Sequence, residues 1–252
     1  MHKIFAKPLF LGKKVVFLPQ CHSTNDELAS LIKKSSEPEG LVLYTDNQTK
    51  GKGQRGNVWL SEPGKNVMMS VLLRPKFLDP QNQFYLNLIT GLAIVDVLRG
   101  LVARDISLKW PNDVYVADRK IAGILIESNM RGSILEFSIV GVGLNVNQEG
   151  FNLPNATSMF LETGKQFDLR EIMEDFLLQF EKWYIKLKNG GHDSILNSYH
   201  QLLMWRGEER AFKANDEEFY GEIVGIDSHG RLAINHNGTL NYYGIKEVEF
   251  RG

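Results

Sequence analysis

Apolar residues along this chain follow two rhythms, one of period two and one near three and a half, and their alternation sketches the fold. Lys14-Val15-Val16-Phe17-Leu18 is a short β-rich run. Ser23-Thr24-Asn25-Asp26-Glu27 then supplies cap-type residues ahead of Leu28, Leu31 and Ile32 at helical spacing, so strand, polar turn and helix follow in that order. Residues 41–45 and 67–73 read as buried strands flanking a glycine-rich, charged loop that ends at Trp59. Between residues 84 and 101, Leu88, Ile89, Leu92, Val95 and Leu98 recur at three- and four-residue steps, which predicts a helix covering a sheet. Four strands with short turns follow at 106–109, 113–117, 121–127 and 134–142. Such a succession favours an α+β fold with a mixed, largely antiparallel sheet covered by helices over alternating βαβ units.

Residues 171–187 and 194–203 predict two further helices. From about Arg206 the pattern changes to short strands and glycine turns, at 209–212, 222–226, 232–234 and 247–250. A boundary near residue 205 is expected. It separates a larger domain, 1–205, from a small C-terminal β-barrel, 206–252.

Bulk properties narrow the function classes. In 252 residues, 29 Lys+Arg stand against 30 Asp+Glu, so the diffuse positive charge of a nucleic-acid binder is missing. Cys21 is the single cysteine, which excludes an intrachain disulfide and a multi-cysteine zinc site and fits a reducing compartment. It reads as a strand-end thiol. No run approaches the roughly 18 apolar residues of a membrane span, so a soluble cytoplasmic protein is expected. The histidines, His2, His22, His192, His200, His229 and His236, are scattered without metal-ligand spacing, and no metal held by the protein itself is expected.

Two segments carry chemistry. In residues 109–127, Pro111 pushes Trp110 toward extended geometry, the chain turns at Asn112-Asp113, and a second turn at Asp118-Arg119 delivers Lys120 into the strand 121–126. Two turn-linked strands thereby bring the Asp113 carboxylate and the Lys120 ammonium toward the same end of a sheet, with Lys109 and Arg119 read equally as part of that polar site or as charges on the sheet edge. The second segment, Gly51-Lys52-Gly53-Gln54-Arg55-Gly56, lets backbone amides approach an anion while Lys52 and Arg55 supply cationic donors. It is neither a Walker motif nor a dinucleotide fingerprint.

KWPND followed by DRKIAGIL is similar to the central signature of the biotin-protein ligase family. Three further segments match in order: Ser23-Thr24-Asn25, the stretch from Gly51 to Trp59, and Gly141-Val142-Gly143-Leu144-Asn145-Val146-Asn147 followed by Ala156-Thr157-Ser158. The resemblance covers residues 15 to 160 well and the C-terminal part more weakly. It implies a catalytic domain of the class II aminoacyl-tRNA synthetase and biotin ligase type, with a small Src-homology-3-like barrel. The implied reaction activates biotin with ATP and Mg²⁺ to biotinyl-5'-AMP and then transfers it to a lysine of a biotin carboxyl carrier protein.

By that resemblance, Ser23, Thr24 and Gln48 address the ureido head of biotin, and Asn25 belongs to the same biotin-binding set. Gly51, Gly123, Gly141 and Gly143 let backbone lie close to the ligand, and Lys52, Gln54, Arg55, Trp59, Asn112, Lys120 and Asn145 attend the adenylate. Lys120 and Lys52 would bridge two repelling anions, and Asp113 would orient the acceptor lysine and assist loss of its proton. Trp59 is read equally as a wall of the site or as core. The chain departs from the family's common Gly-Arg-Gly-Arg pattern at Gln54, where an amide replaces a cation.

Other readings stay open at this point. A lipoate-type ligase or acyltransferase would keep the strand lysine but lacks the paired KWPND and DRKIAG. A DNA-binding repressor would need a winged helix-turn-helix, for which too few residues precede the first strand. Gln54 makes a catalytically inactive biotin-binding module conceivable. Homodimerisation through an exposed sheet edge is a further expectation.

Overall fold

The computed structural model describes residues 4–251, with Arg55 described by its backbone alone, so the expectations for His2 and for the Arg55 side chain lie outside the described residues. The larger part is organised by a seven-stranded sheet: β1 (Val15–Cys21), β2 (Val42–Gln48), β3 (Val67–Leu73), β4 (Ile106–Lys109), β5 (Asp113–Val116), β6 (Arg119–Arg131) and β7 (Ile134–Leu144). Their spatial order is β1-β2-β3-β7-β6-β5-β4. Only β1 and β2 run parallel; every other neighbouring pair is antiparallel. The mixed, largely antiparallel sheet expected from the strand succession is therefore present.

Strand β3 is buried at every position, because helices cover both faces of the sheet where it lies. On one face rest α2 (Tyr85–Arg99), α4 (Leu169–Lys188) and α5 (His192–Leu202). Helix α2 is apolar almost all round, which suits a helix caught between the sheet and α4. Gly91 brings it close to β4, since a Cβ there would stand 3.0 Å from Leu108 Cδ2. On the opposite face lies α1 (Thr24–Lys34), whose Leu28 is fully buried among Leu41, Leu43, Leu72 and Ile139. Burial of one such leucine contributes about 2 kcal/mol. It also fixes the start of α1 over the sheet.

Five antiparallel strands form a second sheet: β8 (Glu209–Ala214), β9 (Glu217–Ile226), β10 (Leu232–His236), β11 (Thr239–Tyr243) and β12 (Glu249–Arg251), in the order β11-β10-β9-β8-β12. Phe212, Ile223, Leu232 and Ile234 are its buried centre. Strand β11 has no counterpart in the pattern reading, because Thr-Leu-Asn-Tyr-Tyr alternates weakly. Its signal lies in the turn, where Asn237 (φ 51°) and Gly238 (φ 79°) form the left-handed pair of a tight hairpin.

The second sheet is bonded to the β4–β5 hairpin. Trp110 Nε1 donates to the Gly230 carbonyl at 2.8 Å, and Met204 N donates to the Leu108 carbonyl at 3.0 Å. Helix α5 adds His200, whose Nε2 accepts from Ile226 N at 2.9 Å. The Trp110–Pro111 peptide within this hairpin is cis. No helix among the described residues is long and apolar enough to cross a membrane.

Candidate active site

The α1-facing side of the sheet has a floor of glycines. Register places Asp113 opposite Gly123, Gly123 opposite Gly143, Leu125 opposite Gly141 and Gly141 opposite Ser70. Period-two alternation sends Val140, Val142 and Leu144 into the α2-side core and leaves Gly141 and Gly143 on the other face. Two side chains fill the space this leaves. A Cβ on Gly143 would fall 2.5 Å from Trp59 Cε2, and one on Gly141 would fall 2.5 Å from Asn25 Oδ1. Both glycines are required by close approach rather than by a turn.

At one end of the floor, amides and hydroxyls converge. Gln48 Oε1 accepts from the Thr24 backbone N–H at 2.8 Å and from its hydroxyl at 3.2 Å. Asn25 Nδ2 donates to Glu127 Oε2 at 2.7 Å and to the Leu125 carbonyl at 3.2 Å. The Ser70 hydroxyl bridges Thr24 Oγ1 at 2.8 Å and Asn25 Oδ1 at 2.6 Å. Ser23 is the buried N-cap of α1 and makes no side-chain cap bond. Ser23, Thr24, Asn25 and Gln48 line a cavity of about 110 Å³ together with Lys52, Gln54, Asp113, Lys120 and the glycine floor, while Ser70 and Glu127 support them from behind.

Backbone hydrogen bonds close the loop over this cavity. Trp59 N donates to the Gly51 carbonyl at 2.9 Å and Gly53 N to the Asn57 carbonyl at 2.7 Å, so its ends close as a hairpin. Gly51 permits this, since a Cβ there would clash with the Trp59 carbonyl. Lys52 pairs with Asp26 at the start of α1 across 2.5 Å, and that carboxylate holds the ammonium above its ordinary pKa. Both partners are well exposed, so water screens the pair.

Lys120 Nζ meets Asp113 Oδ1 at 2.7 Å and lies 5.6 Å from the centre of the Trp59 ring. Its backbone is held on the far side, with Lys120 N donating to the Asn155 carbonyl at 2.8 Å and Thr157 N donating to the Lys120 carbonyl at 2.9 Å. Beyond Trp59 opens a second cavity of about 390 Å³, bordered by Val58, Trp59, Lys120, Asn145, Phe151 and Leu153 among others. Trp59 and Lys120 border both spaces, so Trp59 is a wall between them rather than core. Its Nε1 is buried without a partner among the described residues, and so is Asn145 Oδ1, whose Nδ2 is held by the Thr157 carbonyl at 3.0 Å. A buried group left unpaired on a cavity wall is available to bond whatever enters the cavity.

The residues expected around an adenylate thus divide. Lys52, Gln54 and Asn112 border the first cavity, Asn145 borders the second, and Trp59 and Lys120 border both. Asn112 Nδ2 donates to the Ile124 carbonyl at 2.7 Å, which ties the turn to β6. The edge charges are not simply solvated. Arg119 pairs at 2.7 Å with Glu162, a carboxylate with no exposed surface, in the short helix α3 (Met159–Thr163) that the pattern did not reveal. Lys109 is half-buried among aromatic rings. Ser70, Asp26, Glu127 and Glu162 were missed as site or supporting groups; Ser70, the one hydroxyl in an apolar seven-residue strand, left a readable signal. Cys21 is buried at the end of β1, and burial pushes its thiol up, away from a nucleophile's range.

A sheet carrying a side-chain-free floor and an ion pair where two cavities meet is built to join two substrates, and comparison with known proteins agrees. Residues 17–145 match the Biotin/lipoate A/B protein ligase family, and the chain belongs to that family. It is 30% identical over 244 residues to the biotin--[acetyl-CoA-carboxylase] ligase of Paracoccus denitrificans, spanning 93% of this chain and 100% of that protein. Against the bifunctional ligase/repressor BirA of Bacillus subtilis the identity is 30% over 243 residues, spanning 94% of this chain and 73% of the relative. Among solved structures, the biotin protein ligase from Aquifex aeolicus in complex with biotin and ATP superimposes with a TM-score of 0.80 at 29% identity, covering 95% of this chain and 99% of that one.

Proposed function

We propose that this protein is a biotin--[acetyl-CoA-carboxylase] ligase, which activates biotin with ATP to biotinyl-5'-AMP and transfers the biotinyl group to a lysine of a biotin carboxyl carrier protein. The observation that carries this reading is Lys120, paired with Asp113 and bordering both cavities at their junction. In the first step a biotin carboxylate oxygen attacks the α-phosphorus of ATP and the bond to pyrophosphate breaks. Two anions must approach, and Lys120 and Lys52 supply the opposing charge. Mg²⁺ travels with the nucleotide phosphates; among the described residues no three His, Cys, Asp or Glu side chains gather to hold a metal.

In the second step the carrier amine attacks the acyl carbon and the bond to AMP breaks. A free lysine amine has a pKa of about 10.4, so it arrives as an ammonium that must be held and relieved of a proton. Asp113 takes that part, once Lys120 turns from it toward the phosphate. Thr24, Asn25, Gln48 and Ser23 receive the ureido group, Gly123, Gly141 and Gly143 receive the ring, and Asn145 faces the nucleotide. We assign residues 1–205 to the catalytic domain and 206–252 to the C-terminal domain, and place the protein in the cytoplasm.

The test is direct. The protein is incubated with biotin, ATP, Mg²⁺ and a carrier domain, and the carrier is weighed by mass spectrometry. A gain of one biotinyl group supports the reading. No gain, with no pyrophosphate released, overturns it.

A further inference from the structure

Lys109 stands directly opposite Asp113 in the β4–β5 ladder, so the two side chains leave the same face of the sheet. Its ammonium makes no ion pair among the described residues. It rests among three rings instead, 5.2 Å from the centre of Tyr115, 5.0 Å from Trp205 and 5.3 Å from Phe250. Tyr115 belongs to the catalytic sheet, whereas Phe250 lies on β12 and Trp205 on the approach to β8. Trp205 adopts a left-handed backbone at φ 61°, uncommon for a large residue, which turns the chain as its ring is laid on Lys109. The Trp205 and Phe250 rings also meet each other at 5.6 Å, and Arg210 lies 5.1 Å from the Trp205 ring.

Rings hold an ammonium without neutralising it, because their attraction is that of a quadrupole and no counter-charge is supplied. The field of Lys109 therefore reaches Asp113. The groups facing Asp113 are Lys120 from β6, Lys109 from β4, Tyr115 from its own strand and Tyr199 from α5. Both phenols are burdened by burial and by the Asp113 charge, and neither supplies a cation. We propose that Lys109 is a positioning residue for biotinyl transfer: caged by Tyr115, Trp205 and Phe250, it is the second cation on Asp113, and it keeps that carboxylate aimed at the acceptor lysine when Lys120 leaves it for the adenylate phosphate. The C-terminal sheet thereby acts on the second half-reaction through Lys109. Burial lowers the Lys109 ammonium and Asp113 opposes that shift, which agrees with a charge held out of water by rings.

This inference rests on the assignment of Asp113 to transfer, and its experiment separates the two. Adenylation is read by pyrophosphate release. The adenylate is then offered either to the carrier domain or to hydroxylamine, a neutral amine that needs no carboxylate to relieve it of a proton. For Lys109→Met, which keeps a chain to pack against the rings but removes the charge, adenylation and hydroxylamine capture stay at the wild-type level while carrier transfer falls about tenfold. Lys109→Arg, which also stacks on rings, recovers most of the loss. Trp205→Leu and Phe250→Leu show the same selective loss and decide the matter if Lys109→Met does not fold. Equal loss in all three readouts, or an unchanged carrier transfer, overturns the proposal. Asp113→Asn is the control: full carrier transfer in that variant sinks the assignment of Asp113, whereas its loss alongside unimpaired Lys109→Met sinks only the role of Lys109.

Discussion

Trp59 and Gly143 fit one another so closely that a single methyl group on residue 143 would stand 2.5 Å from the indole ring. The ring belongs to a surface loop, so it, and not the sheet, would yield. Gly143→Ala should therefore cost little stability, under about 1 kcal/mol. Biotin binding should weaken by about tenfold or more, because the displaced ring is a wall of the cavity. Thermal melting and titration calorimetry with biotin measure the two effects separately.

Lys120 and Asp113 are in contact at 2.7 Å, and the proposed mechanism gives them different steps. Lys120→Ala should suppress adenylation by about a hundredfold, equivalent to roughly 3 kcal/mol of lost charge stabilisation. Asp113→Ala should leave adenylate formation within a few-fold of normal and slow transfer to the carrier far more. Pyrophosphate release and carrier mass report the two steps. Equal losses in both from each variant would contradict the division.

Gln54 borders the first cavity where the family commonly has an arginine. Gln54→Arg should restore a cation over the adenylate and slow its escape a few-fold, about 1 kcal/mol for a charge in a partly solvated loop. Filter retention of labelled biotinyl-adenylate checks this. Unchanged or faster release would show that the present amide already does all that position requires.

His200 gives a pH dependence of known sign. Burial, reinforced by the Arg206 guanidinium, holds its pKa below the ordinary value of about 6.5, against a smaller opposing pull from the Ile226 carbonyl. The folded protein therefore prefers the neutral ring, which accepts from Ile226 N. A group depressed in this way contributes stability that is present above pH 6.5 and is lost as pH falls below it, since unfolding then takes up the proton. The melting temperature should drop between pH 7.5 and 5 more in the wild type than in His200→Asn. Parallel drops would remove His200 as the cause.

Much of this was legible where chemistry and local pattern coincide. Helix α2 declared itself through apolar spacing, and Asp113 and Lys120 through two turns that can only be short. Gly141 and Gly143 stood out because glycine at alternate positions of an apolar strand has no packing purpose. What stayed hidden depends on residues far apart in sequence. The ring cage of Lys109 needs Tyr115, Trp205 and Phe250 together, and the buried carboxylate for Arg119 comes from a five-residue helix after a long loop. Lys109 and Arg119, left open between site residues and charges on a sheet edge, were undecided for that reason: their partners arrive only with the tertiary fold.

The pocket floor is main chain. Gly123 and Gly143 face each other across β6 and β7 with no side chain on either, so under the proposed function there is no side-chain atom to trim from the floor beneath the cargo. Redesign toward a bulkier cargo must take its room from the sides, at Trp59 or at the amide-rich end around Asn25. Widening there disturbs the indole that separates the two chambers, or the amide contacts proposed to hold the cargo's head.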